Sequence, residues 1–199
     1  MAAVACGQRA LDIASDPVSR AYALAHLGIA YIESGDAGQA IATLEEGIAQ
    51  LRRLGAGGYR RQVDGFAIAR LSEAYVSKGD LERAGALADE ALHVAIEGQW
   101  CLAIAYAERA QGLVARARGA LTESQEHLGR ALDLFASVDA RFQAARIGLL
   151  LAEVCHTAGD VESASRHLQG ALEAFRRLRA PRYVERAEGV AAAIGIGAA

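Results

Sequence analysis

Several residue types that shape other folds are scarce in this chain of 199 residues. Proline occurs twice, at Pro17 and Pro181, and aromatic residues make up only 6% of the sequence. The cysteines, Cys6, Cys101 and Cys155, are far apart and form no CxxC motif, which argues against a disulfide framework or a zinc site. No apolar run reaches the roughly 18 residues of a membrane span, and no signal-peptide pattern opens the chain. We therefore expect a cytoplasmic protein with no membrane partner.

Charge and hydropathy narrow the class further. The formal net charge is −3, so the chain lacks the general attraction to nucleic acid that a basic domain has. Hydrophobic residues make up 53% of the sequence, and alanine and leucine suit closely packed helices better than a β-sheet. The composition predicts an all-α protein that does not bind nucleic acid.

One pattern occurs four times along the chain, and a turn glycine marks each copy. These glycines are Gly35, Gly79, Gly119 and Gly159. They lie about 40 residues apart, which is typical of stacked helical hairpins. Glycine adopts the left-handed conformation that ends a helix, and an aspartate after it can cap the next helix. Asp36 and Gln39 have the spacing of a capping box.

Small residues recur at three positions around each turn. Seven residues before the glycine stand Gly28, Ser72, Gly112 and Ala152. Five residues after it stand Ala40, Ala84, Ser124 and Ala164, and twelve after it stand Gly47, Ala91, Ala131 and Ala171. Small side chains allow helices to approach closely, so we expect the first two positions to lie between the helices of one hairpin. We expect the third position to contact the next hairpin.

This spacing resembles the tetratricopeptide repeat. The family's motif residues are found in the first two copies as Leu27-Gly28, Tyr31, Ala40, Leu44 and Gly47, and as Leu71-Ser72, Tyr75, Ala84, Ala88 and Ala91. The family's opening tryptophan is absent, and the repeat is longer. It looks like the long-helix variety in the C-terminal regions of bacterial LuxR/MalT-type signalling ATPases and AAA-ATPase-linked adenylate cyclases. The resemblance implies a right-handed all-α solenoid of about ten helices in antiparallel hairpins.

The repeats divide the chain into six segments. Residues 1–16 match the second helix of a repeat, so we expect a fragment of a longer protein; a one-helix N-terminal cap is the alternative. The four repeats are expected at 17–57, 58–98, 99–138 and 139–179, followed by a capping helix and a disordered tail at 180–199. The glycine-rich stretch 55–58 is predicted to be the most flexible point. Aromatic residues at the junctions are predicted to wedge neighbouring hairpins together, and these are Tyr59, Trp100, Phe142 and Tyr183.

No group of residues with catalytic spacing stands out. The five histidines show no metal-ligand pattern, and the glycine-rich stretch 55–58 lacks the Gly-Lys-Ser/Thr of a phosphate loop. Serines and cysteines lie on predicted helices without a nucleophile elbow. We expect no enzymatic activity, no cofactor and no metal.

The resemblance places a partner-binding groove on the first helix of each repeat. The predicted groove residues are Tyr22, Ile29, Phe66, Glu73, Tyr106, Arg109, Arg116, Arg146 and Glu153. Beside them we expect Ala25, Ile32, Ala69, Val76, Leu113, Leu149 and His156. The groove is predicted to be apolar in its N-terminal half and charged in its C-terminal half. The alternative is that several of these residues contact a missing upstream repeat or an internal helix.

A groove of this kind predicts a non-catalytic interaction and regulatory domain that binds a peptide or protein partner. We expect it to belong to a larger bacterial signalling or transcription-regulatory protein. Two alternatives stay open. One is a scaffold that self-associates as a homodimer, and the other is a small-molecule sensor with a cavity beneath the superhelix.

Overall fold

The computed structural model describes residues 2–54 and 58–195, and within them every secondary-structure element is an α-helix. The helices are α1 (Ala2–Ile13), α2 (Pro17–Ser34), α3 (Ala37–Arg53), α4 (Gly58–Lys78), α5 (Leu81–Glu97), α6 (Cys101–Ala117), α7 (Leu121–Ser137), α8 (Arg141–Thr157), α9 (Val161–Arg177) and α10 (Pro181–Ala193). The flexibility expected at 55–57 and the disorder expected at 196–199 fall outside the described residues.

Consecutive helices pair into hairpins, and the hairpins stack. The pairs are α2 with α3, α4 with α5, α6 with α7, and α8 with α9. Each hairpin packs on the next, α1 covers α2, and α10 covers α9. The first helices α4 and α6 also pack directly on each other. The predicted all-α solenoid of antiparallel hairpins is confirmed.

The turns follow the predicted glycine chemistry. Gly35, Gly79, Gly119 and Gly159 have φ angles of 84°, 81°, 79° and 84°. Aspartate side chains cap the N-termini of α2, α3 and α5 by accepting hydrogen bonds from backbone N–H groups. These aspartates are Asp16, Asp36 and Asp80. Asp160 does the same in the fourth repeat, accepting a hydrogen bond from Ser163 N at 3.0 Å. Ala120 in the third repeat has no side chain that can cap α7.

Small residues hold the two helices of a hairpin together. A Cβ at Gly28 would lie 2.5 Å from Leu44 Cγ, and one at Gly112 would lie 2.7 Å from Leu128 Cγ. The predicted close approach at this position is confirmed for both hairpins. The expectation for Gly47 is wrong, because the atoms nearest its Cβ position belong to Leu24, Ala25 and Ala21 of the same hairpin. At Gly47, α3 therefore faces its own partner helix α2.

The apolar core runs along the stack in three clusters. The first joins repeats one to three around Ile68 and Ala88, the second centres on Phe135, and the third on Phe175. The ring centre of Tyr183 lies 4.8 Å from that of Phe142 and 5.2 Å from that of Phe175. This junction aromatic therefore packs α10 against the last hairpin, as predicted. None of the described helices is both long enough and apolar enough to cross a membrane.

Candidate functional site

Charged side chains from the first helices of all four repeats meet at one place. Glu33 comes from α2, Arg70 and Glu73 from α4, Arg109 from α6, and Arg146 from α8. We call these five residues the central cluster. Glu33 and Arg146 are 113 positions apart in the sequence, yet their side chains are in contact. This contact shows that the first helices face a common interior.

The deep part of the cluster lies between α4 and α6. Arg70 Nη1 donates a hydrogen bond to Glu73 Oε2 at 2.6 Å, and Arg109 Nη2 lies 3.2 Å from the same oxygen. The exposed fractions of these side chains are only 1% for Arg70, 4% for Glu73 and 7% for Arg109. Direct packing of α4 on α6 removes all three charges from water.

Glu33 forms the outer part of the cluster and connects four helices. Its Oε1 accepts hydrogen bonds from Arg70 Nη2 at 3.0 Å and from Arg146 Nη2 at 2.6 Å. Its Oε2 accepts a hydrogen bond from the hydroxyl of Tyr183 on α10 at 3.1 Å. The Arg146 guanidinium also lies over the Tyr183 ring, 5.6 Å from its centre. Glu33 therefore ties the first repeat to the last hairpin and to α10.

The charges of the central cluster do not cancel. Three arginines face two glutamates, which leaves one positive charge in excess. Arg109 Nε and Nη1 and Arg70 Nε have no hydrogen-bond acceptor, although these atoms are buried. Leaving a buried donor unsatisfied costs about 1–3 kcal/mol, and more for a charged group. The cluster therefore combines an excess positive charge with buried donors that are not matched to the buried acceptor Glu73 Oε1, which also lacks a partner.

The pKa values reflect this imbalance. Burial would raise the pKa of Glu33, but Arg146 and Arg70 outweigh burial and lower the pKa to about 2. Burial, together with the neighbouring Arg70 and Arg146, lowers the pKa of Arg109 to about 10 against the opposing effect of Glu73. Glu33 is thus strongly stabilised as a carboxylate, whereas Arg109 carries a charge that its surroundings satisfy poorly.

Three aromatic rings, on α4, α6 and α7, pack against one another beside the cluster. Tyr106 on α6 packs edge to face with Phe66 on α4 at 4.5 Å and with Phe135 on α7 at 5.0 Å. Burial raises the pKa of Tyr106, which the charges of Arg70 and Arg109 partly oppose. These rings give the interior an apolar wall beside the charges.

The predicted groove residues divide into several groups in the structure. Glu73, Arg109 and Arg146 come together in the central cluster, and Phe66 pairs with Tyr106. Arg116 and Glu153 form a separate ion pair between α6 and α8, with Arg116 Nη1 2.5 Å from Glu153 Oε2. Tyr22 and Ile29 lie half-buried on α2.

For Glu73 and Arg109 the structure agrees with the alternative interpretation, because both are buried against neighbouring helices where α4 and α6 pack directly on each other. One expectation about the groove needs correction. The N-terminal half is not apolar, since Glu33 and Arg70 place charges there. Sequence reasoning missed Glu33, Arg70 and Tyr183 as members of this site. Arg70 carried a usable signal, because it interrupts the small apolar run Ala67-Ile68-Ala69 and Leu71.

A second concave feature lies between the last two hairpins. A cavity of about 580 Å³ opens between α7, α8 and α9, and Gly148 and Gly170 line it. The third repeat has Glu108 and Arg130 at the positions that correspond to these two glycines. Arg130 Nε lies 3.0 Å from Glu108 Oε2. Two glycines in the fourth repeat thus leave space that a charged pair fills in the third. Among the described residues, no group of histidine, cysteine, aspartate or glutamate could hold a metal ion.

Comparison with known proteins identifies the fold. No protein-family model and no curated protein matches the chain. The Rap conjugation gene regulator of plasmid pLS20, in complex with the Phr* peptide, superposes with a TM-score of 0.80 at 16% identity over 94% of this chain. A Rap protein complexed with Competence and Sporulation Factor gives 0.79 at 15% identity, also over 94%. The TPR-like repeats of a putative kinesin light chain from Podosopora anserina give 0.60 at 14% identity over 91% of this chain and 97% of that one.

These likenesses show a fold of the tetratricopeptide-like helical repeat type. The chain spans about half the length of the two Rap proteins, 50% of one and 51% of the other.

Proposed function

We propose that this protein is a non-catalytic interaction domain that binds a peptide or protein segment against the inner faces of α2, α4, α6 and α8. The central cluster is the observation that carries the proposal. It gathers polar groups from four repeats in one interior, and its outer members Arg146 and Glu33 are 13% and 30% exposed. A partner that lies along the inner helices can contact these two side chains.

The structural likenesses support the same function. Both Rap proteins were solved in complex with a ligand, the Phr* peptide in one and Competence and Sporulation Factor in the other. The fold they share with this chain presents the inner helices as an extended surface. A peptide or protein partner is thus the ligand class that the fold favours.

We further propose that the domain regulates a larger, cytoplasmic bacterial signalling protein. The resemblance of its repeats to those of LuxR/MalT-type ATPases and AAA-ATPase-linked adenylate cyclases supports this context. In such a protein the four repeats, at 17–57, 58–98, 99–138 and 139–179, would transmit partner binding to the output module. This domain would contribute neither catalysis nor nucleic-acid binding.

A peptide array followed by hydrogen exchange tests the proposal. Peptides that bind the purified protein should slow amide exchange in α2, α4, α6 and α8 more than in α3, α5, α7 and α9. Protection confined to the second helices, or no binding to any array peptide, contradicts the proposal. Protein-dependent ATP hydrolysis or cyclic-nucleotide formation would contradict its non-catalytic character. A tight dimer by light scattering, without peptide, would favour the self-associating scaffold.

The cavity between α7, α8 and α9 favours one second candidate, a small-molecule sensor. Its volume of about 580 Å³ lies within the usual range of ligand pockets, about 300–1,000 Å³. A thermal-shift screen against metabolites should then give hits that disappear in Gly170→Leu, which fills the cavity. Hits that survive this substitution would contradict a sensor at this place.

A further inference from the structure

We propose that the cavity between α7, α8 and α9 binds an unbranched aliphatic carboxylate, with the carboxylate group beside His167 and Arg166 and the chain along the floor of the cavity. This ligand assignment goes beyond peptide binding. It rests on the small-molecule function given above as the second candidate, and it names the chemical class of the ligand.

The third repeat shows how this place in a hairpin holds a carboxylate. Glu108 on α6 reaches α7, where His127 Nδ1 lies 2.6 Å from Glu108 Oε2. Arg130 Nε donates a hydrogen bond to the same oxygen at 3.0 Å. A carboxylate that comes from the first helix of the hairpin is thus bound by a histidine and an arginine of the second helix.

The fourth repeat keeps the histidine and lacks the carboxylate. His167 stands at the position of His127, whereas Gly148 stands at the position of Glu108. A Cβ at Gly148 would lie 3.5 Å from the backbone oxygen of His167, so α8 faces His167 as α6 faces His127. Both His167 and Gly148 line the cavity. His167 therefore borders a space in which its counterpart meets a carboxylate, and Gly148 supplies none.

Arg166 brings positive charge to the same end of the cavity. It pairs with Glu162 at 3.2 Å, but the two side chains are 64% and 90% exposed, and Glu162 does not line the cavity. An exposed pair one helical turn apart is weak, so a second carboxylate can share the guanidinium of Arg166.

His167 complements Arg166 as a neutral donor. Burial and the neighbouring Arg166 lower the pKa of His167, so its ring is mainly neutral at pH 7. A neutral imidazole donates one N–H, and the guanidinium contributes the charge. Together the two side chains favour an anion with acceptor oxygens over a cation.

The floor of the cavity is apolar. It consists of Ala145 and Gly148 on α8 and Ala171 on α9, which are all buried, with Leu132 of α7 and Ala174 of α9 beside them. None of these five residues has a polar side-chain atom, and their backbone groups lie inside helices, where they bond to one another. The floor therefore suits methylene groups and offers no partner to an amide.

The dimensions of the cavity favour a thin chain. Along α9 its lining runs from Arg166 to Arg177, a rise of about 16 Å. The volume of about 580 Å³ divided by this length gives a mean cross-section of about 35 Å². An α-helix is about 10–12 Å wide and needs roughly 80 Å² or more. An extended peptide occupies roughly 5 Å by 10 Å, and its N–H and C=O groups would stay unpaired on this floor.

Calorimetric titration of the full chain with three ligands of equal chain length tests the head group. The ligands are octanoate, octanol and octyltrimethylammonium. We expect octanoate to bind at least about 10-fold more tightly than the other two, because only octanoate brings a charged acceptor to His167 and Arg166. Decanoate should bind about 16-fold more tightly than octanoate, since each buried methylene group contributes about 4-fold. Equal binding of the three octyl ligands overturns the assignment.

Two glycine variants test the place of binding. Gly170→Leu fills the cavity and should weaken octanoate binding at least about 10-fold. Gly189→Leu adds the same bulk to α10, at an exposed glycine with no atom within 4 Å of its Cβ position and outside the cavity lining, and should change nothing. Octanoate binding that survives Gly170→Leu overturns the assignment. Circular dichroism melting verifies that each variant is folded at the temperature of the assay.

Two arginine variants form a matched pair for the head group. Arg166 and Arg177 both lie on α9, and each pairs at 3.2 Å with a glutamate one turn earlier. Arg166→Gln and His167→Phe should each reduce the preference for octanoate over octanol to about 3-fold or less, whereas Arg177→Gln should retain it. Equal losses in Arg166→Gln and Arg177→Gln would mean that net charge sets the preference, and would overturn the carboxylate site.

Failure of the ligand assignment is distinguishable from failure of the sensor function. Metabolite hits that disappear in Gly170→Leu, together with no binding of octanoate or decanoate, overturn the assignment and leave the sensor function intact. Absence of both kinds of binding overturns the assignment and the sensor function together. Protection of the inner helices by array peptides is a separate measurement and does not depend on either result.

Discussion

Gly28 lies directly against Leu44 across the first hairpin, with only 2.5 Å between the place of a Cβ at Gly28 and Leu44 Cγ. Leu44 is fully buried, so other parts of the protein surround its branched side chain. The same relation holds between Gly112 and Leu128 in the third hairpin. In both hairpins the absence of a side chain sets the distance between the two helices.

We therefore expect Gly28→Ala to destabilise the protein by about 1–3 kcal/mol, because the added methyl group overpacks the hairpin. The matched substitution Gly170→Ala, in the interior of α9, meets no atom within 4 Å. It should stabilise the protein by about 0.5–1 kcal/mol, because alanine favours a helix more than glycine does. Urea unfolding of both variants measures the two effects. Changes of the same sign would contradict this account of the hairpin.

Ala120 offers a second test, at the start of α7. Its φ and ψ angles, −80° and 71°, closely match those of Asp80, −85° and 77°. Asp80 accepts a hydrogen bond from Arg83 N at 3.1 Å, whereas Ala120 has no acceptor to offer. Ala120→Asp should therefore cap α7 and stabilise the protein by about 1 kcal/mol.

Thermal melts of Ala120→Asp and of the reverse change, Asp80→Ala, measure the effect of the cap. Asp80→Ala should destabilise the protein by about as much as Ala120→Asp stabilises it. Ala120→Leu is the control, because leucine adds bulk without an acceptor. If Ala120→Asp and Ala120→Leu shift the melting temperature equally, capping is not the cause.

Much of the fold was predictable because each hairpin carries local signals. Turn glycines, the aspartates after them and the prolines at 17 and 181 fix where helices begin and end. Packing of Gly28 on Leu44 also follows from residue size at matched positions. The arrangement of Gly47 was less predictable, since a small residue on a helix does not specify which neighbour approaches it.

The central cluster was only partly predictable, for a different physical reason. Glu73, Arg109 and Arg146 stand six, ten and thirteen residues before their turn glycines, and the family resemblance assigns all three of these positions to the groove face of the first helix. Glu33 and Tyr183 reach the site because the stack brings distant repeats together. That closure depends on the small rotation between hairpins, which no local pattern in the sequence specifies.

Gln99 provides a test of backbone strain at a junction between hairpins. Its φ angle is 54°, in the left-handed region that costs a residue with a side chain about 1 kcal/mol or more. Gln99→Gly should relieve this strain and stabilise the protein by about 0.5–1 kcal/mol. Glu126→Gly, at an exposed position inside α7, should instead destabilise it by about 1 kcal/mol. Thermal melts that show both variants destabilised would contradict strain at Gln99.

Glu33 makes the stability of the protein dependent on pH in a defined range. Its pKa is about 2 in the folded protein, because Arg146 and Arg70 outweigh the effect of burial, against an ordinary value of 4.5. A carboxyl group with a lowered folded pKa stabilises the protein above its unfolded pKa, and this contribution is lost as the pH falls through the folded pKa. The loss should therefore run from about pH 4.5 down to about pH 2.

Glu33→Gln isolates this contribution, because glutamine cannot titrate. At pH 7 the variant should be less stable than the wild type by at most about 3 kcal/mol, and by less than this because solvent screens the exposed third of the side chain. The difference should shrink as the pH falls from 4.5 to 2, measured by urea unfolding at each pH. Glu162→Gln controls for general charge effects, since its partner Arg166 is on the surface. A stability difference for Glu33→Gln that stays constant between pH 7 and pH 2 would mean that Glu33 does not hold the first and last repeats together as a charged group.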